Sequence, residues 1–175
     1  MIFETKRLII RDFTESDIET VHHLVQEPEI YKYQTWGPNT LENTRSFIEM
    51  AISQQKDLPR KTYEMAIIEK ESNTLIGAIG IRTYDHNKGD LGYWINKNLW
   101  GKGYATEATI GLIKYGFETL GLNKVSATAD PNNQGSLKVL EKCKMQEEGY
   151  LKSDLLVRGE YRDSVLMAIL RESWV

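Results

Sequence analysis

The sequence is poor in the residue types that mark several large classes of protein. Its 175 residues include one cysteine, Cys143, and three histidines, so neither an intramolecular disulfide nor a metal-ligand cluster is expected. No segment approaches the roughly 20 consecutive apolar residues that cross a bilayer. The first residues, Met1 to Arg7, lack the charged-then-apolar order of a signal peptide. We therefore expect a cytoplasmic protein with no metal and no membrane partner.

An excess of charge of one sign is also missing. The 22 Lys and Arg residues against 25 Asp and Glu residues leave a formal net charge of -3. The chain thus has no overall attraction to nucleic acid, and we expect no direct nucleic-acid partner. Hydrophobic residues make up 41% of the chain, an ordinary globular share that disfavours disorder. Because no repeat or linker interrupts this length, residues 1–175 are expected to form one domain.

Hydrophobic periodicity and turn residues divide the chain into strands and helices. Helices are expected at residues 15–26, 39–55, about 103–120 and 133–143, with Pro28 ending the first and Asn39 and Glu42 capping the second. Strands are expected at residues 6–13, 62–69, 74–84, 91–96, 124–129, 145–157 and 161–170. The order neither alternates strictly nor lacks helices, and short turns favour hairpins. It predicts an α+β (mixed α/β) fold, with about seven strands in a mixed, mostly antiparallel sheet and helices on both faces.

A loop with two glycines joins the strand at 91–96 to the next helix. It reads Asn98-Leu99-Trp100-Gly101-Lys102-Gly103-Tyr104-Ala105-Thr106-Glu107-Ala108. Glycines separated by one residue let the backbone adopt positive φ and approach a ligand closely. The first turn of the following helix leaves N–H groups unpaired and carries partial positive charge. The segment therefore predicts an anion site suited to a pyrophosphate.

Two other phosphate-binding loops do not fit this segment. The G-x-G-x-x-G fingerprint, started at Gly101, needs Gly or Ala at position 106, where Thr106 stands instead. The P-loop pattern G-x-x-x-x-G-K-[ST] is absent as well. A tight turn without a ligand, or a site for another nucleotide, stays open as an alternative.

The glycine loop resembles the acetyl-CoA motif of the GNAT superfamily of N-acetyltransferases. The strand before it reads Leu91-Gly92-Tyr93-Trp94-Ile95, and the helix expected at 133–143 is also similar to that family through Asn133-Gln134-Gly135-Ser136 and Val139-Leu140-Glu141-Lys142. The two ends resemble the branch that includes ribosomal-protein-alanine N-acetyltransferases, through Glu4-Thr5-Lys6-Arg7-Leu8 and Gly159-Glu160-Tyr161-Arg162-Asp163. The resemblance covers nearly the whole chain.

The resemblance implies the acyl-CoA N-acyltransferase fold and direct transfer of an acetyl group from acetyl-CoA to a primary amine in a ternary complex. The fourth strand would splay from the fifth, and the pantetheine arm would lie in the V-shaped gap between them. A main-chain N–H near Ile95 would meet the thioester carbonyl, and Ser136 would act as the acid for the leaving thiolate. The cofactor-binding residues implied are Trp94, Ile95, Gly101, Lys102, Gly103, Tyr104, Ala105, Thr106, Asn133 and Ser136.

The chain departs from the family pattern where proton transfer is concerned. Leu140 stands where many members carry a tyrosine that protonates the thiolate. The glutamate of the ribosomal branch aligns with Leu155, and the neighbouring Asp154 points to the opposite face of a regular strand. The general base is therefore left open among Asp154, Asp90, Glu64 and water.

The acceptor is the least determined part of the sequence. Tyr33 and Trp36, in an aromatic loop, are candidate substrate-binding residues. The resemblance implies an acceptor that is a small-molecule amine, such as an antibiotic or a polyamine, or a protein N-terminus, and we expect a monomer or a homodimer. A non-catalytic acyl-CoA-binding module is the alternative function. Glu107 is expected only to complement the helix N-terminus, and Cys143 to be an inert small residue.

Overall fold

A single eight-stranded sheet organises the computed structural model, which describes residues 2–174. The strands are β1 (Phe3–Glu4), β2 (Leu8–Asp12), β3 (Thr62–Glu69), β4 (Thr74–Tyr84), β5 (Lys88–Ile95), β6 (Lys124–Ala129), β7 (Gln146–Val157) and β8 (Glu160–Leu170). The helices are α1 (Ile18–Val25), α2 (Pro28–Tyr31), α3 (Leu41–Gln54), α4 (Tyr104–Glu118) and α5 (Gln134–Lys142). The strand order is β1-β2-β3-β4-β5-β6-β8-β7, and every pair is antiparallel except β5 with β6.

Both faces of the sheet are covered, which explains why its central strands are apolar on successive residues. In β3, Met65 and Ile67 pack into the core on the side of α4, while Ala66 and Ile68 pack into the core with α1 and α3. Successive side chains on a strand point to opposite faces, so a strand buried on both sides reads as a continuous apolar run. The predicted mixed sheet with helices on both faces is confirmed.

The functionally important feature of the sheet is a gap between β5 and β6. These strands pair only from Lys88 with Lys124 to Asp90 with Ser126. Beyond that point Leu91–Ile95 in β5 and the last three residues of β6 have no partners in each other. The two strands therefore diverge into the V-shaped gap that the family resemblance implied, with α4 following one side and α5 the other.

The first predicted strand and the chain after the first helix differ from expectation. The strand expected at 6–13 is present as β2, and an extra two-residue strand, β1, precedes it across a tight turn in which the Thr5 N–H donates to the Leu8 carbonyl oxygen at 2.9 Å. The sheet therefore has eight strands rather than about seven. Pro28, expected to end the first helix, begins the short helix α2, where its fixed φ is suited to the first turn.

The cap of the second long helix is one residue later than predicted. The Thr40 hydroxyl accepts a hydrogen bond from the Asn43 N–H at 3.1 Å, and the Asn43 side chain accepts one from the Thr40 N–H. The expected pair of Asn39 and Glu42 is therefore wrong by one residue. Among residues 2–174, no helix combines the length and apolar character needed to cross a bilayer. Met1 and Val175, which the sequence assigns to the same domain, lie outside the described residues.

Candidate active site

The glycine loop before α4 has the backbone conformation of an anion site. Gly101 and Gly103 have φ of 75° and 82°, values in the left-handed region that glycine adopts without steric cost. Gly103 is the N-cap of α4, and no side chain caps the first turn. The N–H groups of that turn point out of the helix at its positive end, where a phosphate is stabilised.

The glycine loop is held from outside by the N-terminal segment of the chain. The Glu107 carboxylate accepts hydrogen bonds from the Thr5 hydroxyl at 2.6 Å and from the Arg7 N–H at 2.7 Å, and it pairs with Arg7 Nε at 2.6 Å. The Arg7 guanidinium also donates to the Lys102 carbonyl oxygen at 3.0 Å and lies 4.2 Å from the centre of the Tyr104 ring. Glu107 therefore does more than complement the helix N-terminus, because it anchors the segment that supports the loop.

The ionisation of Glu107 fits this anchoring role. Burial alone would raise the pKa of its carboxyl group, but the hydrogen bonds from Thr5 and Arg7 and the charge of Arg7 outweigh burial. The net pKa lies below the ordinary glutamate value. The carboxylate is therefore charged at neutral pH and can keep its ion pair with Arg7.

A cavity of about 570 Å³ opens beside the glycine loop and runs into the V-shaped gap. We call it the donor cavity. Lys102 is exposed and does not line it. The other nine residues that the family resemblance assigned to the cofactor all line it: Trp94, Ile95, Gly101, Gly103, Tyr104, Ala105, Thr106, Asn133 and Ser136.

The backbone of β5 presents N–H groups to the V-shaped gap. The Asn96 N–H donates to the Ile76 carbonyl oxygen at 2.7 Å, across the pair of β4 and β5. Because N–H groups alternate in direction along a strand, the Ile95 N–H points away from β4 and towards the gap. The Ile95 carbonyl oxygen is occupied separately, by Trp100 Nε1 at 2.8 Å. This arrangement places a fixed donor where the thioester carbonyl is expected.

Ser136 and Tyr93 form a hydroxyl pair at the inner end of the donor cavity. Asn133 caps α5 by accepting a hydrogen bond from the Ser136 N–H at 3.1 Å, so the Ser136 hydroxyl is not needed as a cap. That hydroxyl instead lies 3.1 Å from the Tyr93 hydroxyl. Burial raises the pKa of Tyr93 to about 12, although the hydrogen bond to Ser136 acts in the opposite direction. Tyr93 is therefore neutral and able to donate a hydrogen bond at physiological pH.

A second cavity of about 370 Å³ lies on the α1 and α3 side of the sheet and meets the donor cavity at the V-shaped gap. We call it the acceptor cavity. Two paired glycines, Gly80 of β4 and Gly92 of β5, leave the sheet without side chains at the base of this cavity. Glu64 of β3 pairs with Gly80 on its other side. A Cβ at Gly80 would lie 2.5 Å from Glu64 Oε2, so the carboxyl group lies directly over this glycine. The small residues leave space for both a substrate and a carboxyl group.

Two carboxyl groups in the acceptor cavity have pKa values above their ordinary range. Burial raises the pKa of Glu64, and the charge of Arg82 opposes it only in part. Burial also raises the pKa of Asp90, against a hydrogen bond from the Ser126 hydroxyl at 3.2 Å and the charge of Arg82. A carboxylate whose ionised form is destabilised is a stronger base.

The third sequence candidate for the base lies elsewhere. Asp154 is exposed and does not line the acceptor cavity, whereas the neighbouring Leu155 does. The register of β7 with β8 shifts between Leu151 and Leu155, so a bulge is present, yet Leu155 keeps the inward position. An apolar side chain thus occupies the place where the ribosomal branch carries its glutamate.

An aromatic loop between α2 and α3 closes the acceptor cavity. Tyr33 lines both cavities, and Trp36 lines the acceptor cavity with its ring 6.5 Å from that of Trp94 in an edge-to-face contact. Two arginines of the β7–β8 hairpin hold this loop. Arg158 donates to the carbonyl oxygens of Lys32, Gln34, Trp36 and Gly37 at 2.9–3.4 Å, and Arg162 Nη1 donates to that of Tyr33 at 2.6 Å. These contacts depend on tertiary structure and were not foreseen from the sequence.

Cys143 is buried beside Thr106 and lines neither cavity. Its side chain is 1% exposed, and burial raises the pKa of its thiol to about 12. The thiolate needed for covalent catalysis is therefore hardly populated at neutral pH. Within residues 2–174, no three His, Cys, Asp or Glu side chains are grouped so as to hold a metal ion.

Comparisons with known proteins agree with the geometry. Residues 7–146 match the family model described as acetyltransferase (GNAT) domain. The crystal structure of an acetyltransferase (GNAT family) from Bacillus anthracis is 34% identical, with a TM-score of 0.85, over 97% of this chain and 98% of its own. The putative ribosomal N-acetyltransferase YdaF of Bacillus subtilis is 38% identical over 103 residues, which are 58% of this chain and 56% of its own.

A more distant structure shares the fold. The spermidine N-acetyltransferase from Vibrio cholerae, solved in complex with CoA and spermine, is 21% identical with a TM-score of 0.83. The alignment covers 97% of this chain and 99% of the other. At this identity the likeness shows the fold alone.

Proposed function

Because this chain belongs to the GNAT acetyltransferase family, we propose that it transfers the acetyl group of acetyl-CoA directly to a primary amine. One observation carries the proposal. The donor and acceptor cavities meet in the V-shaped gap and share the residues Tyr33, Gln34, Tyr93, Trp94, Asn133 and Ser136. Two substrates that enter from opposite faces of the sheet would therefore meet without an enzyme-bound acetyl group. The high thiol pKa of Cys143 supports the same direct route.

On the donor side, the backbone would hold acetyl-CoA. The pyrophosphate would bind the N–H groups from Lys102 to Thr106, where two positive-φ glycines keep the loop free of side chains. The Ile95 N–H would donate to the thioester oxygen. Its position in β5 is fixed before the reaction, so it stabilises the developing negative charge without rearrangement.

On the acceptor side, Glu64 would accept the proton of the amine. The neutral amine nitrogen attacks the thioester carbon, the C–N bond forms, and the C–S bond then breaks to release the CoA thiolate. The proton lost from nitrogen passes to the Glu64 carboxylate, whose raised pKa suits it to that role. We place Glu64 before Asp90 because Asp90 already accepts a hydrogen bond from Ser126 in the paired part of β5.

The leaving thiolate would be stabilised by Ser136. The Tyr93 hydroxyl would donate to Ser136 Oγ, which leaves the hydroxyl hydrogen of Ser136 to point at the sulfur of CoA. Tyr93 would then be a positioning residue rather than the acid itself, since its pKa of about 12 disfavours release of its own proton. This pair would replace the family tyrosine, whose position holds the buried Leu140.

The acceptor would be either a protein N-terminal α-amino group or a small-molecule amine. The similarity to YdaF supports the first, and the second is the alternative that the sequence leaves open. The enzyme would work in the cytoplasm, as a monomer or a homodimer. Membership of an acetyltransferase family supports turnover rather than the binding-only module that the sequence left open.

Two measurements test the proposed function. Thermal unfolding with acetyl-CoA, CoA, ATP or NAD should show stabilisation by the first two alone, because a ligand at 100 times its dissociation constant adds about 2.7 kcal/mol. Initial rates of thiol release with varied acetyl-CoA and varied amine should give intersecting lines. Parallel lines would indicate an acetyl-enzyme and refute direct transfer, and no turnover with any amine would refute the activity.

A further inference from the structure

Arg162 is a mostly buried arginine with few hydrogen bonds. Its side chain is 17% exposed and lines the acceptor cavity. Among the residues that the structure describes, its guanidinium makes one hydrogen bond, from Nη1 to the Tyr33 carbonyl oxygen. A guanidinium has five N–H donors, and one of those of Arg162, at Nε, is buried without an acceptor within residues 2–174, which is costly.

Asp130 lies beside Arg162 with an acceptor oxygen to spare. It is 8% exposed and also lines the acceptor cavity. Its Oδ1 accepts hydrogen bonds from the Asn132 N–H at 2.8 Å and from Asn132 Nδ2 at 3.0 Å. Its Oδ2 lies 3.7 Å from Arg162 Nε, which is too far for a hydrogen bond, and Arg162 Nε has no hydrogen-bond partner within residues 2–174.

The pair therefore offers N–H donors and a carboxylate oxygen side by side at the wall of the acceptor cavity. An amide group is the complement of this pair, because its carbonyl accepts from a guanidinium while its N–H donates to a carboxylate. A chain carrying only amino groups supplies no acceptor for the guanidinium. Resting on the proposed function, we propose that the acceptor is a primary amine that also bears a peptide-type amide, which Arg162 and Asp130 recognise.

This inference makes Arg162 a specificity-determining residue and separates two kinds of acceptor. An amino-acid amide or the N-terminus of a peptide carries both the amine and the amide, whereas an alkylamine or a polyamine carries no amide. The amine would be directed to the V-shaped gap near Glu64, and the amide would fix the rest of the molecule against the β8 side of the cavity.

The test compares acceptors of the same shape in matched variants. Alaninamide and 3-methylbutan-2-amine have the same number of non-hydrogen atoms, and an alanine-led tripeptide distinguishes a peptide from a free amino-acid amide as the source. The variant Arg162→Lys keeps the positive charge but loses the planar donor fork. Arg158→Ala is the control, because Arg158 holds the same loop but does not line the cavity.

The expected result is a selective loss. Arg162→Lys should lower kcat/KM for alaninamide and the tripeptide about tenfold or more, as expected for hydrogen bonds to a charged group. The loss with 3-methylbutan-2-amine should be no larger than the loss in Arg158→Ala, since this amine lacks the amide and depends on Arg162 only through the loop. Arg158→Ala should affect all acceptors equally. The comparison within each acceptor removes differences in amine basicity.

Two outcomes would overturn the inference. Equal losses for all acceptors in Arg162→Lys would mean that Arg162 only supports the loop, and equal wild-type efficiency with and without the amide would mean that no amide is recognised. Calorimetric binding of alaninamide to the CoA complex of wild type and Arg162→Lys gives a second readout without turnover. If alaninamide binds the variant as tightly as wild type, the inference is refuted. If alaninamide binds the variant more weakly but wild type acetylates no amine, the proposed function alone is refuted.

Discussion

Replacing Gly103 by alanine tests the anion site against a matched glycine at the other end of the same helix. Gly103 and Gly121 have φ of 82° and 70°, so an alanine at either position is forced into the left-handed region. That conformation costs roughly 1–2 kcal/mol for a residue with a Cβ. A Cβ at Gly103 would lie 3.5 Å from Arg7 Nη2, an ordinary contact, and a Cβ at Gly121 would meet nothing within 4 Å. The two variants should therefore lose similar stability.

The predicted difference lies in the affinity for CoA. Gly103 lines the donor cavity at the start of α4, where the pyrophosphate is expected, while Gly121 follows the far end of α4 and does not line that cavity. Loss of one charge-assisted hydrogen bond is worth about 1.5–3 kcal/mol, so CoA should bind about 10- to 150-fold more weakly to Gly103→Ala. Gly121→Ala should bind CoA like wild type.

The assay combines unfolding with calorimetry. Both variants should melt about 2–8 °C below wild type without ligand, from about 2–4 °C for each kcal/mol in a chain of this size. Titration of CoA then separates them. If Gly103→Ala binds CoA as tightly as Gly121→Ala, the glycine loop does not hold the pyrophosphate and the reasoning from backbone geometry is refuted.

Four further predictions concern residues at or near the V-shaped gap. Ser136→Ala should lower kcat about 100-fold with little change in KM for acetyl-CoA, and Tyr93→Phe should lower kcat less. Because Tyr93 acts through Ser136, the double variant should have the kcat of Ser136→Ala. If the two losses in kcat multiply in the double variant, the two residues act independently and the proposed pair is contradicted. Glu64→Gln should abolish the acidic limb of the kcat/KM profile, which should lie above the ordinary glutamate range, whereas Asp90→Asn should retain it. Because burial raises the pKa of Glu64 in the folded state, the wild-type protein loses stability as the pH rises from the ordinary glutamate pKa through the folded-state pKa. At neutral pH, Glu64→Gln should therefore unfold at a higher urea concentration than wild type. Equal stability of the two proteins would argue against a desolvated carboxylate. Cys143→Ala should keep near-wild-type kcat, and a loss above about tenfold would argue for a covalent route.

Much of the candidate donor site was predictable because it is formed by residues that are consecutive in the sequence. Gly101, Gly103 and the start of α4 form a local backbone structure, whose conformation depends on glycine and on the helix end rather than on distant contacts. The family resemblance through the same segment was confirmed. The short strand β1 and the tight turn at Thr5 were missed because a strand of two residues is too short to show periodicity.

The acceptor site was predictable only in part. Tyr33 and Trp36 were candidate substrate-binding residues, and both line the acceptor cavity, while their binding of a substrate stays a prediction. Glu64 was one of several candidates, and nothing in the sequence placed its carboxyl group over Gly80, because that contact depends on the register of β3 with β4. The pairing of Ser136 with Tyr93 was also not predicted, since the two residues lie 43 positions apart and meet only across the V-shaped gap.

By itself the sequence determined most of the strands and helices, where an anion site is expected and to which family the chain belongs. These properties follow from hydrophobic periodicity, from glycine at positive φ and from unpaired N–H groups at a helix start, all of which act over a few residues. The tertiary structure alone decided how far β5 and β6 diverge and which carboxyl groups are desolvated. It also decided that Arg162 Nε has no hydrogen-bond partner within residues 2–174 at the acceptor cavity. Desolvation and strand register depend on what packs from elsewhere in the chain, so they appear only once the sheet has assembled.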